Sequence, residues 1–186
     1  MNFKSTFKDK KILVTGHTGF KGSWLSLWLS SLGAKVLGVS KYIPTEPSHF
    51  EAAKIGDLVK DIRLDILDIS ELKKIIYKFE PDFVFHLAAQ PLVSESYLNP
   101  LKTFQTNTIG TANILEIMRD YSQKSVLILI TSDKCYLNKE WIWGYKETDT
   151  LGGIDPYSAS KASAEILINS YIKSYFQKES SVKIGI

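Results

Sequence analysis

Two short stretches hold the side chains with chemistry to offer. "TSDKCY", residues 131–136, sets Ser132, Asp133 and Lys134 in a row: a hydroxyl, an acid and an amine. "YSASK" sets Tyr157 and Lys161 four residues apart, on one face of a helix. An ammonium beside a phenol favours the phenolate, and a phenol of lowered pKa can take the proton from an alcohol while its hydride leaves for an acceptor. Hydride transfer alone needs only a hydroxyl and such a Tyr/Lys pair. An extra acid and an extra base imply a second task, the loss of water.

These side chains need a scaffold, and the apolar pattern supplies one. "KKILVTG" (10–16), "AKVLGVS" (34–40), "LVKDIRLDI" (58–66), "DFVFHLAA" (82–89), "SVLILITS" (125–132) and "SVKIGI" (181–186) read as six strands. Helices are expected over 20–33, 68–80, 100–121 and 156–177, with Gly33 as a C-cap, Asp68 as an acidic N-cap and Pro156 in a first turn. In the first helix, Phe20, Trp24 and Trp28 recur every fourth residue beside Leu25, Leu29 and Leu32; Trp24, Trp28 and Leu32 are assigned to the core. After residue 40 comes a polar loop in which Pro44 and Pro47 bar helix. Strands separated by helices give an α/β, doubly wound parallel sheet, the Rossmann fold. Ligands of such sheets bind at the carboxyl ends of the strands, where Ser132, Asp133 and Lys134 share a rim with "HLAAQ", residues 86–90.

"TGHTGFKG" joins the first strand to the first helix, with Gly16, Gly19 and Gly22 three apart. A helix start with unpaired N–H groups suits a pyrophosphate, and glycine is needed where a side chain would block the phosphate or the neighbouring strand. This predicts dinucleotide binding. The acidic residue that usually ends the second strand and grips the adenosine ribose is replaced by Ser40 and Lys41, and a cation tolerates a 2′-phosphate. Asp65 either accepts from an adenine amino group or is a turn aspartate.

Composition narrows the classes. The 186 residues are 44% hydrophobic and 23% charged, values of one globular domain, and the net charge of +3 is spread among scattered lysines, which argues against nucleic acid or an anionic membrane as partner. The N-terminus has no apolar core of a secretory signal, and no segment reaches the roughly eighteen uninterrupted apolar residues of a membrane span, so the cytoplasm is expected. One cysteine, Cys135, excludes an internal disulfide and is read as a small buried residue. His17, His49 and His86 lack convergent partners, so no metal site is expected; His86 is read as a satisfied strand-end histidine. Trp141 and Trp143 either line a sugar or nucleotide pocket or pin the 135–155 loop. A last strand with nothing after it reads as part of something longer.

"TGHTGFKGSWL", "HLAAQPLV", "TSDKCY" and "WGYKETDTLGGIDPYSASKA" together resemble the CDP-glucose 4,6-dehydratases, extended short-chain dehydrogenases/reductases of nucleotide-sugar metabolism. The likeness runs over nearly the whole chain, and Lys134 stands where dTDP-glucose relatives usually carry Glu. The resemblance implies NAD as cofactor and CDP-glucose as substrate. It implies Tyr157 as the base toward the 4-hydroxyl, with Lys161 holding the phenolate and the nicotinamide ribose, and Ser132 bonding the 4-oxygen. Lys134 would remove the C5 proton, which requires it neutral, and Asp133 would protonate the departing C6 hydroxyl. Gly16, Gly19, Phe20, Lys21 and Gly22 would frame the cofactor's pyrophosphate, with His17 placed to touch the cofactor; Asp65 and Ile66 would frame its adenine, and Ala88, Ala89 and Gln90 would line its nicotinamide half, with Asn107 close by in the following helix. Relatives pair through the helices of residues 100–121 and 156–178, implying a homodimer. Ser94 replaces a usual arginine after "HLAAQPLV". Relatives also continue into a C-terminal nucleotide-sugar-binding domain, so residues 1–186 are expected to be the NAD-binding domain of a longer enzyme. The competing readings are a related nucleotide-sugar epimerase or reductase, which generally lacks the Asp–Lys pair, and a non-catalytic dinucleotide-binding fragment.

Overall fold

The computed structural model describes residues 3–177 and 179–186. Six strands, β1 (Lys11–Thr15), β2 (Lys35–Ser40), β3 (Lys60–Arg63), β4 (Phe83–His86), β5 (Ser125–Leu129) and β6 (Val182–Gly185), form one sheet in the order β3-β2-β1-β4-β5-β6. Every pairing is parallel. The strand order reverses between β1 and β4, and that reversal opens the crevice in which doubly wound sheets bind their ligands. The strands are shorter than the apolar runs predicted: β4 ends at His86 and β5 at Leu129, so "LAAQ" and "ITSDK" lie on the rim rather than in the ladder.

Side chains of β1 alternate between two cores, as a strand covered on both faces demands. Leu13 joins Leu37, Leu72, Ile114, Met118 and Ile168, while Ile12 and Val14 join Leu29, Val36, Phe50 and Ile55. The second core is closed by α1 (Phe3–Phe7), whose Phe7 packs on Phe83 and Phe85, and by α2 (Phe20–Ser31). Gly33, at φ +86°, ends α2 as expected. The indoles of α2 do not face the core, however. Its sheet-facing side is Gly22, Ser23, Ser26 and Leu29, small groups that let the helix approach the strands closely. Trp24 and Trp28 are displaced to the flanks, 50% and 45% exposed. There Trp24 stacks on His49 at 4.1 Å and Trp28 meets Phe3 edge-on at 5.3 Å.

Past Pro47 the loop holds one helical turn, α3 (His49–Ala52), started by the Ser48 hydroxyl accepting from Glu51 N–H. The prolines bar helix only up to that point. α4 (Ile69–Phe79) begins at Asp68, whose carboxylate accepts from Glu71 N–H, as predicted. Two departures follow β4. An unpredicted helix, α5 (Val93–Leu98), precedes the next. The single helix expected over 100–121 is instead α6 (Pro100–Phe104), a π-helical stretch over Gln105–Ile109, and α7 (Gly110–Arg119). The wider turn coincides with Asn107, whose side chain points inward rather than along the helix surface; such bulges recur at functional sites. The last helix, α8 (Pro156–Tyr175), starts with Pro156 behind Asp155, whose carboxylate caps Ser158 N–H.

Candidate active site

The glycine loop separates what the fold requires from what a ligand requires. Gly16 has φ +75°, and a Cβ there would meet Ala88 N at 2.7 Å. A Cβ on Gly22 would overlap Gly16 O at 2.1 Å. Both glycines are therefore demanded by contact between α2, the loop and the rim segment that follows β4. Gly19 differs: its Cβ would meet only Gly16 O, at 3.4 Å. Packing does not require glycine there, but the close approach of a phosphate would. Gly19 also caps α2 without a side-chain bond, leaving the helix's opening N–H groups to a ligand. Phe20 and Lys21 are exposed beside them. These residues fit a dinucleotide pyrophosphate.

Under the loop, hydrogen bonds run in one direction. Ala88 N–H donates to Thr15 Oγ1 at 3.2 Å, and Thr15 lies 2.7 Å from His86 Nδ1. On the other side His86 Nε2 lies 3.2 Å from Thr111 Oγ1, which donates to Asn107 O at 2.7 Å. Because Thr111 spends its proton on a carbonyl, His86 Nε2 carries the hydrogen and Nδ1 accepts from Thr15. His86 is thus a satisfied neutral histidine; burial, then the charge of Lys161, push its pKa down to about 3. His17 is also internal. Its fully buried ring covers Gly38 and bonds Ser40 Oγ at 2.9 Å and Asp61 Oδ1 at 3.0 Å, so its side chain presents no surface to a ligand. Burial, opposed by the bond to Asp61, lowers its pKa.

The remaining predicted cofactor residues divide similarly. Ile66 is buried against Gly110. Asn107 is spent on protein: Oδ1 accepts from Gln90 N–H at 2.7 Å, and Nδ2 donates to Gln90 O at 3.1 Å and to Ser160 Oγ at 2.9 Å. Gln90 folds its side chain back on Leu92 and Thr103. Ala88 and Ala89 are half-buried on the rim. Asp65 is partly open but carries Lys41 Nζ at 2.7 Å and Leu67 N–H at 3.0 Å. Partial burial opposes its ionisation, yet these bonds and the charges of Lys41 and Lys102 hold its carboxyl below the usual value.

Beyond β5, Ser132, Asp133 and Lys134 form a tight turn packed against α8. Ser132 Oγ donates to Asp133 Oδ1 at 3.1 Å and accepts from Lys134 N–H at 3.2 Å; Asp133 and Lys134 are exposed. An open cavity of about 500 Å³ is lined by Ser132, Asp133, Cys135, Glu147 and Glu165 among others. Tyr157, Lys161 and Lys134 do not line it. Tyr157 is half-buried and Lys161 is buried, 7% exposed. Burial, then the charge of Lys21 in the glycine loop, push the Lys161 ammonium down to about 8, against the pull of Glu165 and Cys135. The two cations thus repel one another. Cys135 is buried, with its thiol pushed up to about 11, first by burial and then by Glu165, so it is no nucleophile at neutral pH.

Sequence reading missed four residues: Thr131, Glu165, Ser160 and Thr15. Thr131 Oγ1 donates to Glu165 Oε1 at 2.5 Å, tying the Ser132 turn to α8 one helical turn beyond Lys161. The Lys161/Glu165 spacing of four was the available signal. Ser160 and Thr15 carried none beyond neighbouring a predicted residue. Trp141 packs against Trp143 and Tyr145 at 5.3 and 5.4 Å, and Tyr136 stacks on Tyr145, so these rings hold the loop together while Trp143 stays 60% exposed. Among the described residues, no three His, Cys, Asp or Glu side chains are placed to hold a metal.

Residues 13–182 match the model of the family described as GDP-mannose 4,6 dehydratase. The chain belongs to that family. Within the family setting, it is 45% identical over 98% of its length to a CDP-glucose 4,6-dehydratase of Salmonella typhimurium, and 32% identical over 94% to a dTDP-D-glucose 4,6-dehydratase of Dictyostelium discoideum. It spans 51% and 43% of these relatives, about half their length. Among solved structures, UDP-glucose 4-epimerase of Thermotoga maritima with UDP-glucose aligns at TM-score 0.80 and 27% identity, over 94% of this chain and 54% of that one. UDP-glucose 4-epimerase of Brucella ovis in complex with NAD aligns at 0.77 and 27%, over 90% and 49%. The family fold therefore accounts for the parallel sheet and its rim. The site residues of this member remain a matter of their own geometry.

Proposed function

We propose that this chain is the dinucleotide-binding and catalytic part of an NAD-dependent dehydratase that converts CDP-glucose to CDP-4-dehydro-6-deoxyglucose. The observation that carries the reading is its 45% identity, across 98% of the chain, to a curated CDP-glucose 4,6-dehydratase. Bound at the glycine loop, the nicotinamide would accept hydride from C4 of the sugar and return it to C6. Every other step falls to side chains of the chain. Tyr157 takes the proton of the 4-hydroxyl, aided by the Lys161 ammonium on the same helical face. Ser132 bonds the 4-oxygen as it becomes a ketone. The ketone acidifies C5–H, which Lys134 removes, while Asp133 gives its proton to the departing C6 hydroxyl, so that water is lost across C5 and C6; as the hydride returns to C6, the Lys134 ammonium gives its proton back to C5.

Support for the division of labour is positional. Asp133 faces the cavity with Ser132, and the turn that holds them rests on the helix that carries Tyr157 and Lys161. The part of the enzyme that grips the nucleotide is expected outside residues 1–186. Homodimer formation is part of the same reading: Leu101, Ile109 and Ile166 are exposed on the helices of residues 100–121 and 156–178, of which residue 178 lies outside the described residues. No helix among the described residues is long and apolar enough to cross a membrane, and we place the enzyme in the cytoplasm.

The test is product formation from CDP-glucose with NAD+, dTDP-glucose serving as the competitor. The chain is assayed alone and joined to the C-terminal half of the Salmonella relative. A 4-keto-6-deoxy product from CDP-glucose, abolished by Lys134→Ala, is expected of the joined protein. A 4-epimer in place of that product would establish the epimerase reading, and full elimination by Lys134→Ala would remove Lys134 from the mechanism.

A further inference from the structure

The carboxyl ends of β2 and β3 have an unusual charge arrangement. Ser40, last in β2, is 5% exposed, and its hydroxyl is committed to His17 Nδ1 at 2.9 Å and Thr18 N–H at 3.3 Å. The position that carries an acid in NAD-selective sheets is thus both neutral and sealed. Lys41 follows, its side chain 58% exposed, and reaches across to Asp65 beyond β3. The carboxylates nearby are engaged. Asp61 holds His17 Nε2 at 3.0 Å and Arg63 at 2.7 Å, and Asp65 holds Lys41 and Leu67 N–H. Each of their four oxygens already accepts one hydrogen bond, which weakens what it can offer a ribose hydroxyl.

The ammonium of Lys41 spends one N–H on Asp65 and keeps two for a ligand. The charge of Lys102 also acts on Asp65. Asp61 is paired with Arg63 and Asp65 with Lys41, so no unpaired carboxylate of the two stands there to select a bare ribose. A phosphate there would accept charge-assisted hydrogen bonds from the two remaining N–H groups of Lys41, stronger than the bonds a neutral ribose hydroxyl could accept from them. We propose that Lys41 opens the adenosine end of the site to a 2′-phosphate, so that the chain binds NADP+ as well as NAD+, with Lys41 setting the ratio between them. The inference rests on the glycine loop being a dinucleotide site.

Calorimetric titration of the 186-residue chain with NAD+ and with NADP+ tests both levels. The two dissociation constants are expected within roughly threefold of each other, with the steeper salt dependence on NADP+. Lys41→Ala, an exposed change whose unchanged thermal midpoint would show an intact fold, should weaken NADP+ by roughly tenfold and not weaken NAD+. Asp65→Asn, which frees the ammonium, should move the ratio the opposite way, toward NADP+. NAD+ binding with a ratio that Lys41→Ala leaves unmoved would overturn the assignment of Lys41 alone. Binding of neither dinucleotide would overturn the dinucleotide site and the inference with it.

Discussion

Asn107 Nδ2 donates to Ser160 Oγ at 2.9 Å, joining the π-helical turn to the helix of Tyr157 and Lys161 across 53 positions of sequence. The same amide holds both polar backbone atoms of Gln90, and Ser160 Oγ in turn donates to Tyr157 O at 2.7 Å. One buried side chain therefore sets the rim beyond β4 and the helix of the proposed catalytic pair relative to each other.

Asn107→Ala should accordingly cost stability as well as alignment. It leaves the part-buried Gln90 N–H without its partner, a loss of about 1 to 3 kcal/mol. Urea unfolding at pH 7 measures it. A loss below about 0.5 kcal/mol would show that water replaces the amide without penalty.

The glycine loop predicts two distinct failures. Gly22→Ala drives a methyl into Gly16 O and should lower the thermal midpoint sharply, as should Gly16→Ala through its positive φ and its contact with Ala88. Gly19→Ala should leave the midpoint within a degree or two, since a lost kcal/mol moves Tm by about 2–4 °C in a chain of this size. Its defect should instead appear in dinucleotide titration. A Gly19→Ala chain that binds as tightly as the parent would mean that no phosphate approaches the loop there.

His86 gives the pH dependence a sign. Its pKa falls from an ordinary 6.5 to about 3 in the fold, so between those values the unfolded chain binds the extra proton. The neutral ring's contribution is complete above pH 6.5 and is lost as pH falls toward 3, with a limiting slope of about 1.4 kcal/mol per pH unit. His17, also depressed, acts in the same direction. Urea midpoints should therefore fall from pH 6.5 to 4.5, above the range where most carboxylates titrate. A His86→Asn chain should be less stable throughout but show a shallower fall. A parent chain flat across that window would place a water or an alternative acceptor at His86.

The strands, the glycine loop and the helix starts at Asp68 and Pro156 were legible because each is written in local pattern: apolar runs, glycine spacing and capping residues. Trp24 and Trp28 misled because helical periodicity identifies a stripe but not which edge of it meets the sheet. That was decided by the small residues Gly22, Ser23 and Ser26, which admit close approach. The break at Gln105–Ile109 was invisible because its cause is the bonding of Asn107 to Gln90 and Ser160, partners known only once the chain is folded. His17 and Ile66 were assigned to the ligand from their place in a motif. Motif position fixes the backbone, but burial turned both side chains inward.

Lys161 offers the clearest separation of stability from function. Its ammonium titrates near 8 rather than 10.5, so below pH 8 the fold carries a buried charge that the unfolded chain carries at no penalty. The sign is that of a depressed base: the folded state is penalised at neutral pH, and the penalty disappears as pH rises from 8 through 10.5. Lys161→Met removes the charge but keeps the length of the stem. It should stabilise the chain at pH 7 by about 1 to 3 kcal/mol, offset in part because Glu165 loses a favourable neighbour. The gain should vanish by about pH 10.5, where the parent lysine is neutral in both states. Urea unfolding of both chains at pH 7 and pH 10.5 decides the matter. Destabilisation at pH 7 would mean that the Lys161 cation is paired strongly enough to support the fold, and that its retention needs no catalytic explanation.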